Sequence, residues 1–347
     1  MRLCYISRNY PNSGVAGFKA KQDSEDTIAL MGGENLGLKR TFVKSKVAGF
    51  VLNLAGITKA TMRLRKGDVL FLQYPLRKYF KYLCRLARRK GAKTIVLVHD
   101  FRCYHHVELP ETVDTDSLRL ADYVIVGTEA MADWLRQRGI NSVGVLGLWD
   151  FRSDAVRPQD TPTSSAAGSP VIVYAGSIRR RKTLFLEELA KRDLPYDIHL
   201  YGHLNDMAGL RQAKHIKVNP FMDSDAFIAT VKGNFGLVWD SNSVTGSTGY
   251  YGVYQGLCLS HKTSFYLRAG LPVIVWSGSA VAPVLRREGI GLTVDSLEEL
   301  PELLSRVTDE EMAAMRRNVE RVGALIADGH YVRTAVSRAV ETLSAKP

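Results

Sequence analysis

Four cysteines in 347 residues, Cys4, Cys84, Cys103 and Cys258, stand at no paired or metal-like spacing. That scatter excludes a disulfide framework and predicts reduced, buried thiols in a cytosolic protein. No uninterrupted apolar run approaches the length that spans a bilayer, so no transmembrane helix is expected. Met1-Arg2 leads straight into an apolar strand, and no signal peptide is expected. A Gly-x-Gly-x-x-Gly fingerprint is also missing: Asn9 to Gly17 carries glycines only at Gly14 and Gly17, the wrong spacing for a dinucleotide site. His105-His106 lacks a third ligand at metal spacing. No repeat of fixed period is present, and the one low-complexity tract is a linker.

The chain is rich in apolar residues, at 46 %, and in positive charge, with a formal net charge of +12. Its length suits two domains with a core in each. Apolar runs at 2–7, 68–75, 93–98, 122–126 and 141–148 alternate with helical stretches. The tract Arg157 to Pro170 is then almost bare of apolar bulk and rich in proline, serine and glycine, the composition of an interdomain linker. Further runs at 171–176, 197–202, 218–221, 236–240, 273–276 and 289–294 follow it. Strands alternating with helices on both sides of a linker predict an α/β fold of two Rossmann-like, doubly wound domains facing a cleft. The expected division is 1–156, linker 157–170, 171–330, and a terminal helix in 331–347.

Excess charge calls for an anionic neighbour. Between Arg77 and Lys93, eight basic residues interleave with Leu76, Tyr79, Phe80, Leu83 and Leu86 at helical spacing. Such a helix either packs its apolar stripe on the first sheet and solvates its basic face, or docks that face on anionic lipid headgroups. Charge alone also suggests nucleic acid, but no stacking platform or recognised module supports it, and no nucleic acid is expected.

The densest chemistry lies at His261 to Trp276. Lys262, Thr263 and Ser264 open a helix, Gly270 stops it, and Leu271-Pro272 turns the chain into the strand Val273 to Trp276. A lysine and two hydroxyls at a helix start form either an anion site or an ordinary cap. A second anion candidate follows Val171 to Gly176, where Ser177, Arg179, Arg180, Arg181 and Lys182 crowd a strand exit. Glycine there admits a backbone close to phosphate, and the cations would neutralise it; the alternative is a solvated basic turn. In the first half, His99-Asp100 ends an apolar strand, where catalytic groups gather in α/β sheets, although the pair could also cap a turn. Asp114-Thr115-Asp116 and Asp223-Ser224-Asp225 imitate a metal-binding acid pair but are better explained as helix caps, so no metal and no cofactor is expected. The stretch Ser241 to Leu259 reads as one long loop rich in glycine, serine and tyrosine.

The segment Lys262 to Trp276, with Gly249-Tyr250-Tyr251-Gly252 before it, resembles the C-terminal domain of a bacterial GT-B glycosyltransferase family. That family includes streptococcal glucosyltransferases acting on serine-rich adhesins and β-1,6-galactofuranosyltransferases. The resemblance implies transfer of a hexosyl unit from a UDP-sugar to a sugar hydroxyl on a glycan, glycoprotein or lipid-linked acceptor. It assigns the nucleotide and its pyrophosphate to Gly176, Ser177, Arg179, Arg180, Lys182, Tyr201, Gly202, Lys262, Thr263 and Ser264. It puts Gly14, Gly17, Tyr250 and Tyr251 on the acceptor side, with Asp100, or else His99, as base, and implies that the helix in 331–347 returns to the first domain. A lipid-linked acceptor would suit a cytoplasmic protein peripheral on the inner face of the membrane, and the resemblance allows a homo-oligomer. Phe101 to His106 departs from the family's more regular loop, which keeps open a catalytically silent GT-B-like partner of a true transferase.

Overall fold

The computed structural model describes residues 1–11, 16–76, 78–104, 108–157 and 168–345. They fall into two compact units, Met1–Asp150 with Gly329–Pro347, and Phe151–Asp328.

In the first unit six parallel strands run in the order β2-β1-β3-β4-β5-β6: β1 (Leu3–Tyr5), β2 (Glu34–Asn35), β3 (Val69–Tyr74), β4 (Lys93–Val98), β5 (Tyr123–Val126) and β6 (Val143–Val145). The helices between them are α1 (Ala16–Leu30), α2 (Lys46–Arg63), α3 (Phe80–Arg89), α4 (Thr112–Leu118) and α5 (Glu129–Arg136). Val69 to Leu72 and Thr94 to Val98 are buried without a break, as strands covered on both faces must be. The two-residue β2 has no apolar period of its own; it exists by pairing Cys4 with Glu34 and Tyr5 with Asn35.

The second unit repeats the plan in the order β12-β11-β10-β7-β8-β9. Its strands are β7 (Val171–Ala175), β8 (Asp197–Tyr201), β9 (Ile216–Asn219), β10 (Phe235–Val238), β11 (Val273–Trp276) and β12 (Gly291–Val294). Its helices are α6 (Arg180–Thr183), α7 (Phe185–Leu189), α8 (Ser224–Thr230), α9 (Gly249–Gln255), α10 (His261–Arg268), α11 (Ala282–Glu288), α12 (Leu300–Arg306) and α13 (Asp309–Ala327). Ile172, Tyr174, Phe185, Phe235, Leu237 and Trp239 fill one side of this sheet. Each such side chain contributes roughly 1.5–3 kcal/mol by leaving water. Thr308 and Glu311 form a capping box that starts α13, and Met315, Val319, Val322 and Ile326 bury its inner face. Where α13 meets α10, a Cβ on Gly323 would stand 2.9 Å from the Leu267 carbonyl, so this contact requires glycine.

The last helix, α14 (His330–Ser344), packs in the first unit against α1, β4, β5 and β6. Its free N-terminal amides are met from far back in the chain. Tyr331 N and Val332 N donate to the Asp150 carboxylate at 3.1 and 2.8 Å. An acid at that end also complements the helix dipole.

The stretch expected to be one loop, Ser241 to Leu259, contains α9. Ser241 Oγ donates to Gly246 O at 2.7 Å and accepts from Thr248 N at 2.9 Å. Gly249 turns with φ 75° and opens the seven-residue α9. After β7 the chain forms two short helices in succession, α6 and α7.

Candidate functional site

Strand order reverses between β7 and β10, and crevices at such reversals are where open α/β sheets hold ligands. Three chain segments meet there. Gly176 leaves β7 with φ 133°, and a Cβ on it would stand 3.3 Å from Lys262 Cε. Asp240 follows β10. Lys262 rises from the first turn of α10, and Lys182 from α6. Lys262 Nζ donates to Asp240 Oδ1 at 2.6 Å and to the Tyr174 hydroxyl at 2.7 Å. Lys182 Nζ reaches Asp240 Oδ2 at 3.0 Å. Tyr174 OH in turn donates to Asp240 Oδ1 at 2.7 Å.

Two ammonium groups therefore share one carboxylate, and the cluster keeps a surplus positive charge. Burial alone would raise the Asp240 pKa; the charges and hydrogen bonds of Lys262 and Lys182 outweigh it and hold the carboxyl well below its usual range. Burial lowers Lys262 to about 8 despite the pull of Asp240. Lys182 is the more exposed of the two, and although burial opposes its charge, Asp240 wins and its pKa rises. The Tyr174 hydroxyl is raised well above its usual value by burial and then by Asp240, so it stays a neutral donor.

The other predicted donor residues divide. Ser177 and Arg179 are exposed beside this crevice rim. Arg180 is exposed too, but its guanidinium pairs with Glu187 at 2.8 Å and its backbone amide with Asp206 at 3.0 Å. Thr263 and Ser264 turn inward: both are fully buried, and their hydroxyls have no hydrogen-bond partner among the described residues. The cap of α10 is instead Ser260, whose Oγ accepts from Lys262 N at 3.3 Å. Tyr201 packs edge-on against Phe227 at 5.1 Å between ring centroids, half-buried. At Gly202 a Cβ would fall 2.0 Å from the Gly176 carbonyl, so the two strand exits touch backbone to backbone. Tyr251, assigned by resemblance to the acceptor side, has its ring 5.6 Å from Lys182 Nζ, with Tyr250 stacked edge-on beside it.

In the first unit order reverses between β1 and β3, and a small cavity there is lined by Tyr5, Arg8, Tyr10, Lys21, Glu25 and Gln73 among others. Glu25 accepts from Ser7 Oγ at 2.9 Å and from Arg40 at 3.1 Å, and also from Tyr10 OH. Burial raises the Glu25 pKa in spite of those donors. His99, at the end of β4, is buried; its ring lies flat on Trp149 at 4.7 Å, and Nε2 meets Gln73 Oε1 at 2.7 Å. Asp100 is half-buried at the strand exit. Gly17 lies exposed in the first turn of α1, while Gly14 and the pair His105-His106 lie outside the described residues.

Asp223 caps α8 by accepting from Asp225 N and Ala226 N. Asp114 does something else: buried in α4, it accepts from Tyr74 OH at 2.6 Å and from the amides of Arg102 and Cys103. Among the described residues no three His, Cys, Asp or Glu gather to hold a metal, and no helix is long and apolar enough to cross a membrane. Two residues escaped sequence reasoning. Asp240 carried a signal, an acid directly after a buried apolar strand; Glu25 carried none, because it reads as one more acid in a polar helix.

Comparisons with known proteins cover most of the chain. The model described as "Glucosyltransferase 3-like, N-terminal domain" matches residues 3–146, and "Glucosyltransferase 3-like, C-terminal domain" matches residues 172–339. The chain is 27 % identical over 342 residues to Beta-1,6-galactofuranosyltransferase WbbI of Escherichia coli (strain K12), covering 95 % of this chain and 96 % of that protein. It is 29 % identical over 290 residues to Glucosyltransferase 3 of Streptococcus gordonii, covering 80 % and 81 %. Among solved structures, sucrose-phosphate synthase from Thermosynechococcus elongatus shares the fold at TM-score 0.64, 11 % identity and full coverage of both chains. Anabaena Alr3699/HepE, solved in complex with UDP, shares it at TM-score 0.62 and 11 % identity, over 99 % of this chain and 100 % of that one.

Proposed function

The chain belongs to the glucosyltransferase 3-like family of GT-B glycosyltransferases, and from that premise we propose that it moves a hexosyl unit, galactofuranose or glucose, from a UDP-sugar to a hydroxyl of another sugar. The acceptor sugar would sit on a glycan, a glycoprotein or a lipid-linked precursor. The observation that carries this reading is the convergence of Lys182 and Lys262 beside Gly176 at the reversal of the second sheet.

A diphosphate entering that crevice would take over from Asp240 as the partner of both ammonium groups, with Ser177 and the Gly176 backbone beside it and Arg179 and Arg180 on the rim. As the bond from sugar to phosphate breaks, negative charge grows on the departing UDP. Fixed cations in a poorly hydrated site stabilise that charge more than water does. They would supply the countercharge that a metal supplies elsewhere. Tyr201 and Gly202 would flank the base. Asp100 would take the proton of the acceptor hydroxyl if the reaction inverts. His99, already committed to Trp149 and Gln73, is better suited to fixing the strand end than to moving a proton. With Thr263 and Ser264 buried, their hydroxyls serve the donor only if α10 shifts.

The same reading puts the protein in the cytoplasm, with the exposed basic face of α3 against anionic headgroups of the inner leaflet, and allows a homo-oligomer. A silent partner is not favoured, because the relatives are themselves named as transferases. Thermal melting with UDP is the direct test: ligand that binds the folded state raises the midpoint. UDP should stabilise the wild type and not Lys262→Ala; equal stabilisation of both removes the assignment. Release of UDP from UDP-galactofuranose and UDP-glucose then identifies the sugar.

A further inference from the structure

We propose that α2 is an interfacial anchor, whose exposed apolar face enters the surface of an anionic bilayer while flanking basic side chains of α2 and α3 sit among the headgroups. This extends the headgroup contact of α3 read above, and adds to it a segment that inserts.

On one side α2 buries Gly49, Gly56, Ile57 and Ala60. On the other it turns outward Val47, Phe50, Val51 and Leu54, then Met62, the positions a helix aligns on one stripe. Val47 is 75 % exposed and Met62 72 %. Of the twelve large apolar side chains exposed among the described residues, seven lie between Phe42 and Tyr82. An outward face of a soluble helix is ordinarily polar; a contiguous apolar one marks a surface that something covers.

Charge identifies the cover. Residues 35–99 hold sixteen lysines and arginines against one acid, Asp68. That surplus of 15 exceeds the +12 of the whole chain, so the remaining residues sum to −3. Every bit of the net positive charge thus belongs to the segment that carries the apolar stripe. The two features are adjacent in space: Lys78 Nζ stands 4.6 Å from the Phe50 ring centroid, and Lys90 Nζ donates to Thr61 O at 2.6 Å, tying α3 to α2. Lys81, Arg85 and Arg89 of α3 are exposed alongside. A second copy of the chain would bring like charges together across this face, which is costly. Anionic lipid offers the opposite sign over an apolar interior, and a basic amphipathic helix lies in that plane. Among the described residues no helix, α2 included, is long and apolar enough to cross a membrane, so the proposed contact is one that lies in the interface plane.

Flotation of the full chain tests this, with vesicles of equal parts phosphatidylglycerol and phosphatidylcholine and with phosphatidylcholine alone. The chain should float with the anionic vesicles only. Phe50→Ser with Leu54→Ser should lower partitioning roughly tenfold with melting unchanged, and Lys81→Gln with Arg85→Gln about 30-fold. A Phe50→Trp variant should gain blue-shifted emission on anionic vesicles. If only the charge variants lose binding, the headgroup contact stands and insertion is overturned. If the wild type does not float, both fall. If the apolar variants instead dissociate an oligomer in vesicle-free solution, the face is an interface between copies and the anchor is overturned.

Discussion

The two sheets reverse their strand order at equivalent places, yet the exits of those strands are put to opposite uses. In the second unit the reversal gathers unlike segments, β7, β10, α6 and α10, onto one carboxylate with charge to spare. In the first unit the neighbouring groups are spent on one another: Glu25 on Ser7 and Arg40, His99 on Trp149 and Gln73. One reversal holds two ammonium groups against a single carboxylate. The other closes its hydrogen bonds around a buried acid.

That contrast can be broken in order of expected effect. Lys262→Ala should lower kcat/KM for donor turnover by about 10³-fold, measured as UDP release, since it removes a cation aimed at developing charge; a loss no greater than that of Arg180→Ala would erase the distinction between crevice and rim. Asp240→Asn should cost about 3 kcal/mol of stability by calorimetry, because it leaves two half-buried ammonium groups without their carboxylate. In the first unit Asp100→Asn should lower kcat about 10²-fold, whereas His99→Phe, which keeps the flat contact with Trp149, should stay within a few-fold. Equal losses for both would mean that His99 is not merely holding the strand end. Titration calorimetry with UDP should show affinity falling about tenfold between pH 7 and pH 9. Lys262 is cationic below its pKa of about 8 and neutral above it, so binding is strong on the acid side and fades as pH rises through that value. Arg180→Ala should weaken UDP less than about threefold, because its guanidinium is exposed and already paired with Glu187.

Much of this architecture is legible along the chain. Val69 to Tyr74 and Val273 to Trp276 are apolar runs bounded by breakers, and Gly270 does stop α10, with φ 73°. Lys262 and Lys182 stand out along the chain as lysines beside a helix start and a strand exit, places that an ordinary cap and a solvated basic turn also fit. What stayed hidden depends on distance along the chain or on rotation about a helix axis. Asp240 is 22 residues from Lys262 and sits at its centre only because β10 lies next to β7. Trp149 meets His99 through folding alone. Thr263 and Ser264 show the second limit: they start α10 as expected, but the face they occupy is set by what the helix packs on, so they point into the core. The apolar stripe of α2 was hidden in the same way, since a helix pattern does not say which of its faces is covered.

The Asp150 clasp on α14 spans 182 positions of sequence. Strands β4, β5 and β6 are therefore covered by residues that leave the ribosome after the entire second unit has been made. Until then those three strands lack the cover that α14 gives them.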